Sequence, residues 1–247
     1  MSDRGAWRMV AGLAFLNVLS YVDRQLLVAL APLLIADLGL SRAQVGLLVG
    51  LAFMAVYGLG TVLAGVLADR WPRPRLIAAG LGAWSAATAL TGTASGFASL
   101  AAWRALVGIG EATLPPSALA MIGDRVPGAR VGLANGLFYA GVPVGFALSF
   151  ALAGLAAPRF GWRACFLVLG TAGLVGVATV WRMADPPRRG AASRPAAGLR
   201  STAGAALRAY RERPALALVI LGATLLIYAS AASQHAITWL VEERGFA

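Results

Sequence analysis

The 247 residues contain no lysine, one cysteine, one histidine and only ten acidic side chains. A single cysteine, Cys165, cannot close an internal disulfide, so the fold is not stapled. With one histidine and no Cys, His or carboxylate cluster at ligand spacing, nothing points to a metal site. No nucleophile and base stand in an arrangement that would work inside an apolar run, so neither an enzyme nor a cofactor is expected. Charged residues are 13% of the chain, against roughly a quarter in soluble domains, and 59% are hydrophobic. In place of charge there is a succession of long apolar runs, with a mean hydropathy of +0.75. The lipid bilayer is therefore the expected solvent. The net charge of +11 does not indicate a nucleic acid partner, because the basic residues, all Arg, sit mostly in short loops between apolar runs.

Seven spans are expected, at about 9–35, 45–68, 76–94, 98–123, 131–156, 164–183 and 214–240. No small-residue cleavage pattern accompanies the first run, which reads as a retained span. Residues 184–213 turn to Pro, Ala, Gly and Ser with seven Arg, and read as a linker with a short amphipathic helix at about 203–211. With the N-terminus inside, fifteen of the 21 Arg are cytoplasmic. Arg42, Arg159, Arg163 and Arg244 lie outside, and Arg24 and Arg104 lie within the membrane. This bias makes the N-terminus and the linker cytoplasmic in a multi-pass protein of the plasma (inner) membrane.

The costly residues are the charges at membrane depth. Arg104 and Glu111 stand in a run, Ala98 to Gly123, that is otherwise uncharged. An ionised residue at mid-helix costs about 2.5–3.5 kcal/mol on insertion scales, so such residues face a protein interior or a watery cavity. Seven residues apart, they return to within about 20° of one helix face. Gly108 and Gly110 lie on or beside that stripe, where they admit a close neighbour. Span one carries a second interruption, Tyr21-Val-Asp23-Arg24. On span five Pro143 removes a backbone donor, so a kink is expected there. Small-residue pairs at Gly46/Gly50, Gly60/Ala64 and Gly132/Gly136 are candidates for close helix packing.

The loop after span two reads Gly65-Val-Leu-Ala-Asp69-Arg70-Trp-Pro-Arg73-Pro-Arg75. It resembles the signature loop of the major facilitator superfamily, with Pro72 and Pro74 standing where that pattern more often has Gly and a basic residue. Gly65 would permit a close helix crossing, and the Asp69 carboxylate would accept charge-assisted hydrogen bonds from nearby Arg residues such as Arg70 and Arg73 to latch a cytoplasmic gate. Together with Asn17-Val-Leu-Ser-Tyr21-Val-Asp23-Arg24 and Arg104-Ala-Leu-Val-Gly-Ile-Gly-Glu111-Ala112, it resembles the Spinster group of that superfamily over most of residues 10–185.

The resemblance implies secondary active transport by alternating access, coupled to protons, of a small organic or amphipathic anionic solute. It implies an all-α fold: 1–183 as a six-helix bundle of inverted three-helix repeats, 184–213 as the linker, and 214–247 as the first helix of an incomplete second bundle. Carried over by position, Asp23 and Glu111 would exchange protons, with Arg24 and Arg104 as their partners or as anchors for the anion. A fixed ion-pair network holding spans one and four together accounts for the same four charges. Asn135 and Tyr139 on span five, and His235 on span seven, are lesser candidates for substrate contact. Gly108-Ile-Gly110 is not a nucleotide fingerprint, since position 113 is Thr and no strand precedes it. Alternating access needs two halves, so the alternatives are a truncated, non-transporting membrane protein or a half-transporter that needs a missing C-terminal half or partner chain.

Overall fold

The computed structural model describes residues 3–188 without interruption and, beyond them, individual residues between 204 and 225. Two units are distinguished, Met1–Ala196 and Ala197–Ala247. In the second, the residues described between 214 and 225 are helical, within the expected seventh span. The remainder of that span and most of the linker lie outside the described residues.

The first unit contains helices and no strands among its described residues: α1 (Asp3–Ala29), α2 (Ala31–Leu38), α3 (Arg42–Val49), α4 (Leu51–Arg70), α5 (Arg73–Thr91), α6 (Phe97–Glu111), α7 (Leu114–Arg125), α8 (Gly128–Tyr139) and α9 (Gly141–Trp181). Six spans account for these nine segments, because several spans are broken by proline or glycine. Pro32 stands at the start of α2 and separates it from α1 at Leu30. Gly50, with φ −96° and ψ −109°, separates α3 from α4. The expected kink in span five falls at Ala140, three residues before Pro143, where the proline ring obstructs the carbonyl four residues back. Pro115 and Pro116 divide span four into α6 and α7, so that Glu111 is the last residue of its helix. Gly161, at φ 78°, turns the chain inside α9 and so separates spans five and six.

Among the described residues, four stretches are long and apolar enough to cross a membrane: Asp3–Ala29, Arg42–Arg70, Phe97–Arg125 and Gly128–Trp181, the last of which holds the turn at Gly161. Helix α5 is different in kind. It is central, with Arg73, Ile77, Ala78, Leu81, Trp84, Ser85 and Thr88 among its buried residues. Its neighbours approach through glycine. A Cβ at Gly110 would lie 2.7 Å from the Gly80 carbonyl oxygen and 2.8 Å from the Trp84 nitrogen. On the other side, a Cβ at Gly170 of α9 would collide with the backbone at Ser85 and Ala89.

Two apolar clusters fill the bundle. One gathers Leu13 and Leu16 of α1 with Phe53, Leu81, Trp84, Val107 and Phe138. The other gathers Leu26, Leu27 and Leu30 with Leu48, Leu100, Trp162 and Phe166. Between Leu16 and Leu26 on α1 lie the buried polar residues Asn17, Ser20 and Asp23. The polar layer is thus sandwiched between the two apolar clusters, where a buried charge needs polar partners.

Candidate functional site

The four charges singled out from the sequence converge in that layer, and they pair crosswise. Arg24 Nε donates to Glu111 Oε2 at 2.6 Å, joining α1 to the end of α6. Arg104 Nη1 stands 3.8 Å from Asp23 Oδ1, and its Nη2 donates to the Arg24 carbonyl at 3.3 Å. Asp23, Arg104 and Glu111 are buried; the Arg24 side chain is 11% exposed. The face shared by Arg104 and Glu111 is as their spacing predicts, and Gly110 admits α5 behind it.

Aromatic rings complete the enclosure. The Arg24 guanidinium lies 4.1 Å from the Tyr57 ring centroid, 5.0 Å from Tyr21 and 5.3 Å from Phe53, and Arg104 lies 4.2 Å from the same Phe53 ring. Phe53 thus serves both cations, whose attraction to a ring face strengthens when water is excluded. Thr88 of α5 donates its hydroxyl to Asp23 Oδ2. Asn17 donates to the Phe138 carbonyl at 2.8 Å, tying α1 to the end of α8. Arg104 Nε and Glu111 Oε1 are buried without a hydrogen-bond partner among the described residues. The network therefore keeps unused hydrogen-bonding capacity on both a guanidinium and a carboxylate.

Sequence reasoning missed Thr88, Phe53 and Tyr57. The signal for the last two was available in their four-residue spacing on span two, which puts both on one helix face. Among the described residues no hydrogen bond or ion pair joins Asn135 or Tyr139 to the four charges, although Tyr139 lies near enough to Tyr57 and Tyr21 to interact with them electrostatically. Asn135 and Tyr139 lie on α8, where Tyr139 is exposed and a Cβ at Gly132 or Gly136 would meet nothing within 4 Å. His235 lies outside the described residues.

At the end of the bundle that holds the loop after α4, Arg73 is the hub of the signature loop. It is buried, pairs with Asp124 at 2.5 Å and Asp185 at 2.8 Å, and donates to the Pro186 carbonyl at 2.8 Å. Arg188 donates to the carbonyls of Ala68 at 3.0 Å and Trp71 at 2.8 Å, and to that of Asp69, capping α4. At Asp69 the backbone oxygen, not the carboxylate, meets an arginine. Arg70 is exposed, and a Cβ at Gly65 would meet nothing within 4 Å, so no close helix crossing uses it among the described residues. At the opposite end Arg163 donates to Asp37 at 2.5 Å and Trp162 to the same oxygen at 3.1 Å. Hydrogen bonding from Arg163, and then Trp162, holds the Asp37 carboxyl below its ordinary range.

An all-helical bundle with a charged layer buried between two apolar clusters has the architecture of a polytopic membrane protein. The chain belongs to the major facilitator superfamily, whose family model matches residues 13–247. It is 32% identical over 186 residues to Protein spinster of Drosophila melanogaster, covering 75% of this chain and 31% of that protein. It is 31% identical over 159 residues to the Hexuronate transporter of Bacillus subtilis, covering 64% of this chain and 37% of that one. Among solved structures, it resembles a bacterial homologue of the human lysosomal transporter Spinster in an inward-facing, occupied conformation. There the TM-score is 0.71 at 29% identity, over 76% of this chain and 46% of that one. The chain thus spans less than half the length of the relatives it matches.

Proposed function

We propose that this chain is the N-terminal bundle of a proton-coupled secondary active transporter that moves a small organic or amphipathic anion by alternating access. The observation that carries this reading is the buried network in which two carboxylates and two guanidiniums balance in charge around Arg24 Nε and Glu111 Oε2. A balanced buried network holds together only while each charge keeps its partner. Protonating Asp23 or Glu111 releases a guanidinium, and a carboxylate or phosphate of the solute is the partner that restores the balance. Proton uptake and anion capture then favour one another, which is the linkage a symporter needs.

In this reading Arg24, the least covered of the four, meets the anion first, and Asn135, Tyr139 and His235 line the solute path. The open glycine face of α8 turns toward a second bundle. Asp69, in the loop with Gly65, Arg70 and Arg73, meets that second bundle when the cytoplasmic side closes. Residues 184–213 are the cytoplasmic linker and 214–247 begin the second bundle, in a protein of the plasma membrane with its N-terminus inside.

Asp23→Asn or Glu111→Gln in the assembled transporter is expected to abolish flux driven by a pH gradient while leaving membrane insertion intact. Unchanged gradient dependence in both variants contradicts the proton role. The chain spans 31% and 37% of these two relatives, and in a second reading the other bundle is supplied by a partner polypeptide instead of by the same one. The intact mass in the native membrane separates the two: a species well above 25.3 kDa carries both bundles, whereas one at 25.3 kDa works with a partner or does not transport.

A further inference from the structure

Beside Asp23 a small, partly open cavity is lined by α1, α5 and α9. Asp23, Ser85 and Thr88 supply its polar wall, and Gly170 and Gly173 lie opposite. It is about large enough for one water molecule. Ser85 is buried, its Oγ has no hydrogen-bond partner among the described residues, and a Cβ at Gly173 would collide with that oxygen. The glycine is what leaves the Ser85 hydroxyl room to turn. Thr88, three residues further along the same helix, spends its one hydroxyl hydrogen on Asp23 Oδ2.

We infer that Thr88 and Ser85 are positioning residues for the coupling proton on Asp23, and that the cavity is where the hydrogen-bond exchange accompanying protonation takes place. The inference rests on the proton role proposed for Asp23. A hydroxyl has one hydrogen to give and two lone pairs. While Asp23 is ionised, Thr88 donates to it. When a proton arrives on Asp23 Oδ2, that oxygen becomes the donor and Thr88 Oγ1 the acceptor. The Thr88 hydrogen must then turn elsewhere, and the unpartnered Ser85 Oγ accepts it, directly or through one water. One O–H bond forms, on Asp23; every other change is an exchange of hydrogen bonds. The competing acceptor is the Trp84 carbonyl, in the way that Ala87 serves Thr91.

The charged groups that face Asp23 are Arg24 from its own helix and Arg104 and Glu111 from α6. Among the described residues, α5 and α9 present no charged group to this cavity. The two hydroxyls act in opposite directions. Thr88 supports the ionised carboxylate and Ser85 supports the protonated one.

The test is an infrared titration of the purified chain in lipid nanodiscs, with the Asp23 carboxyl band assigned by its loss in Asp23→Asn. Thr88→Val is expected to move the midpoint up by about one pH unit or more, since a hydrogen bond to a charged group is lost. Thr88→Ser, which keeps the hydroxyl, returns it to the wild-type value. Ser85→Ala is expected to move it down by about half a unit or more. Coincident titrations in wild type, Thr88→Val and Ser85→Ala overturn the inference while leaving the proton role of Asp23 standing. A silent Ser85→Ala with a shifted Thr88→Val assigns the exchange to the Trp84 carbonyl and overturns the part given to Ser85. If no Asp23 band titrates between about pH 4 and 9, the proton role falls and the inference falls with it.

Discussion

Arg24 and Glu111 stand 87 positions apart in the chain and meet at 2.6 Å in the middle of the bundle. Glu111 is fully buried and ends α6, so its charge lies at the negative pole of that helix as well as in an apolar interior. Arg24 offsets both. The proline pair at 115 and 116 is what ends the helix there, which makes the broken span part of the site rather than an accident of packing.

Removing one partner of this pair is more harmful than removing both. Arg24→Leu strands a buried carboxylate and is expected to cost about 3–5 kcal/mol, whereas Arg24→Leu with Glu111→Leu recovers most of that loss. Unfolding can be followed through Cys165, which is buried and is the chain's sole thiol, with a dye that fluoresces on reacting with it. A double variant no more stable than Arg24→Leu would show that the pair does not act as a unit.

Arg24→Lys keeps the charge and loses the planar group that faces Tyr21, Phe53 and Tyr57. Gradient-driven flux is expected to fall at least about tenfold, since an ammonium reproduces neither the stacking nor the fork geometry. Flux within a factor of two of wild type would mean that charge alone is needed.

How much of this was legible in the sequence depends on the residue. The four buried charges stood out because a charge in an apolar run has so few explanations; helical periodicity put Arg104 and Glu111 on one face, and the resemblance implied that Asp23 and Arg24 would join them. Their crosswise pairing was not legible, since Asp23 and Arg24 are neighbours and only the crossing of α1 over α6 decides which meets which. Thr88 escaped notice because a threonine in a span is unremarkable until a carboxylate is placed opposite it. Arg73 stood out as part of a basic loop, yet its partners Asp124 and Asp185 lie 51 and 112 positions away. The Asp69 carboxylate was read as an acceptor for nearby Arg in one state of a cytoplasmic gate; in this structure it is the Asp69 carbonyl that meets Arg188.

The glycines divide into two sets with opposite expectations. Gly110→Ala forces a Cβ to within 2.8 Å of α5 backbone and is expected to destabilise by about 1–3 kcal/mol. Gly136→Ala meets nothing within 4 Å and is expected to leave the Cys165-monitored melting midpoint unchanged or raised, as alanine favours the helix. Equal effects at the two positions would contradict the packing described at α5.

The Asp37–Arg163 clamp sets a pH dependence. Because Arg163 holds the Asp37 carboxyl below its ordinary range, the clamp's contribution is fully present above that range and is lost as pH falls through the depressed value. Wild type is expected to melt slightly above Asp37→Asn at neutral pH, and the two are expected to converge at strongly acid pH. The difference is small because both groups are solvent-exposed. A gap that persists at the lowest pH would assign it to something other than this ion pair.

The central claim is that protons and an anion move together through the Arg24–Glu111 network. It is tested most directly by reconstituting the transporter with a pH-sensitive dye inside the vesicles and adding glucuronate or a lysophospholipid as probe anions. The account predicts inward proton movement with at least one probe in wild type, and none in Glu111→Gln or Asp23→Asn. Proton movement of the same size in those two variants, or anion entry in wild type with no proton movement, would contradict it.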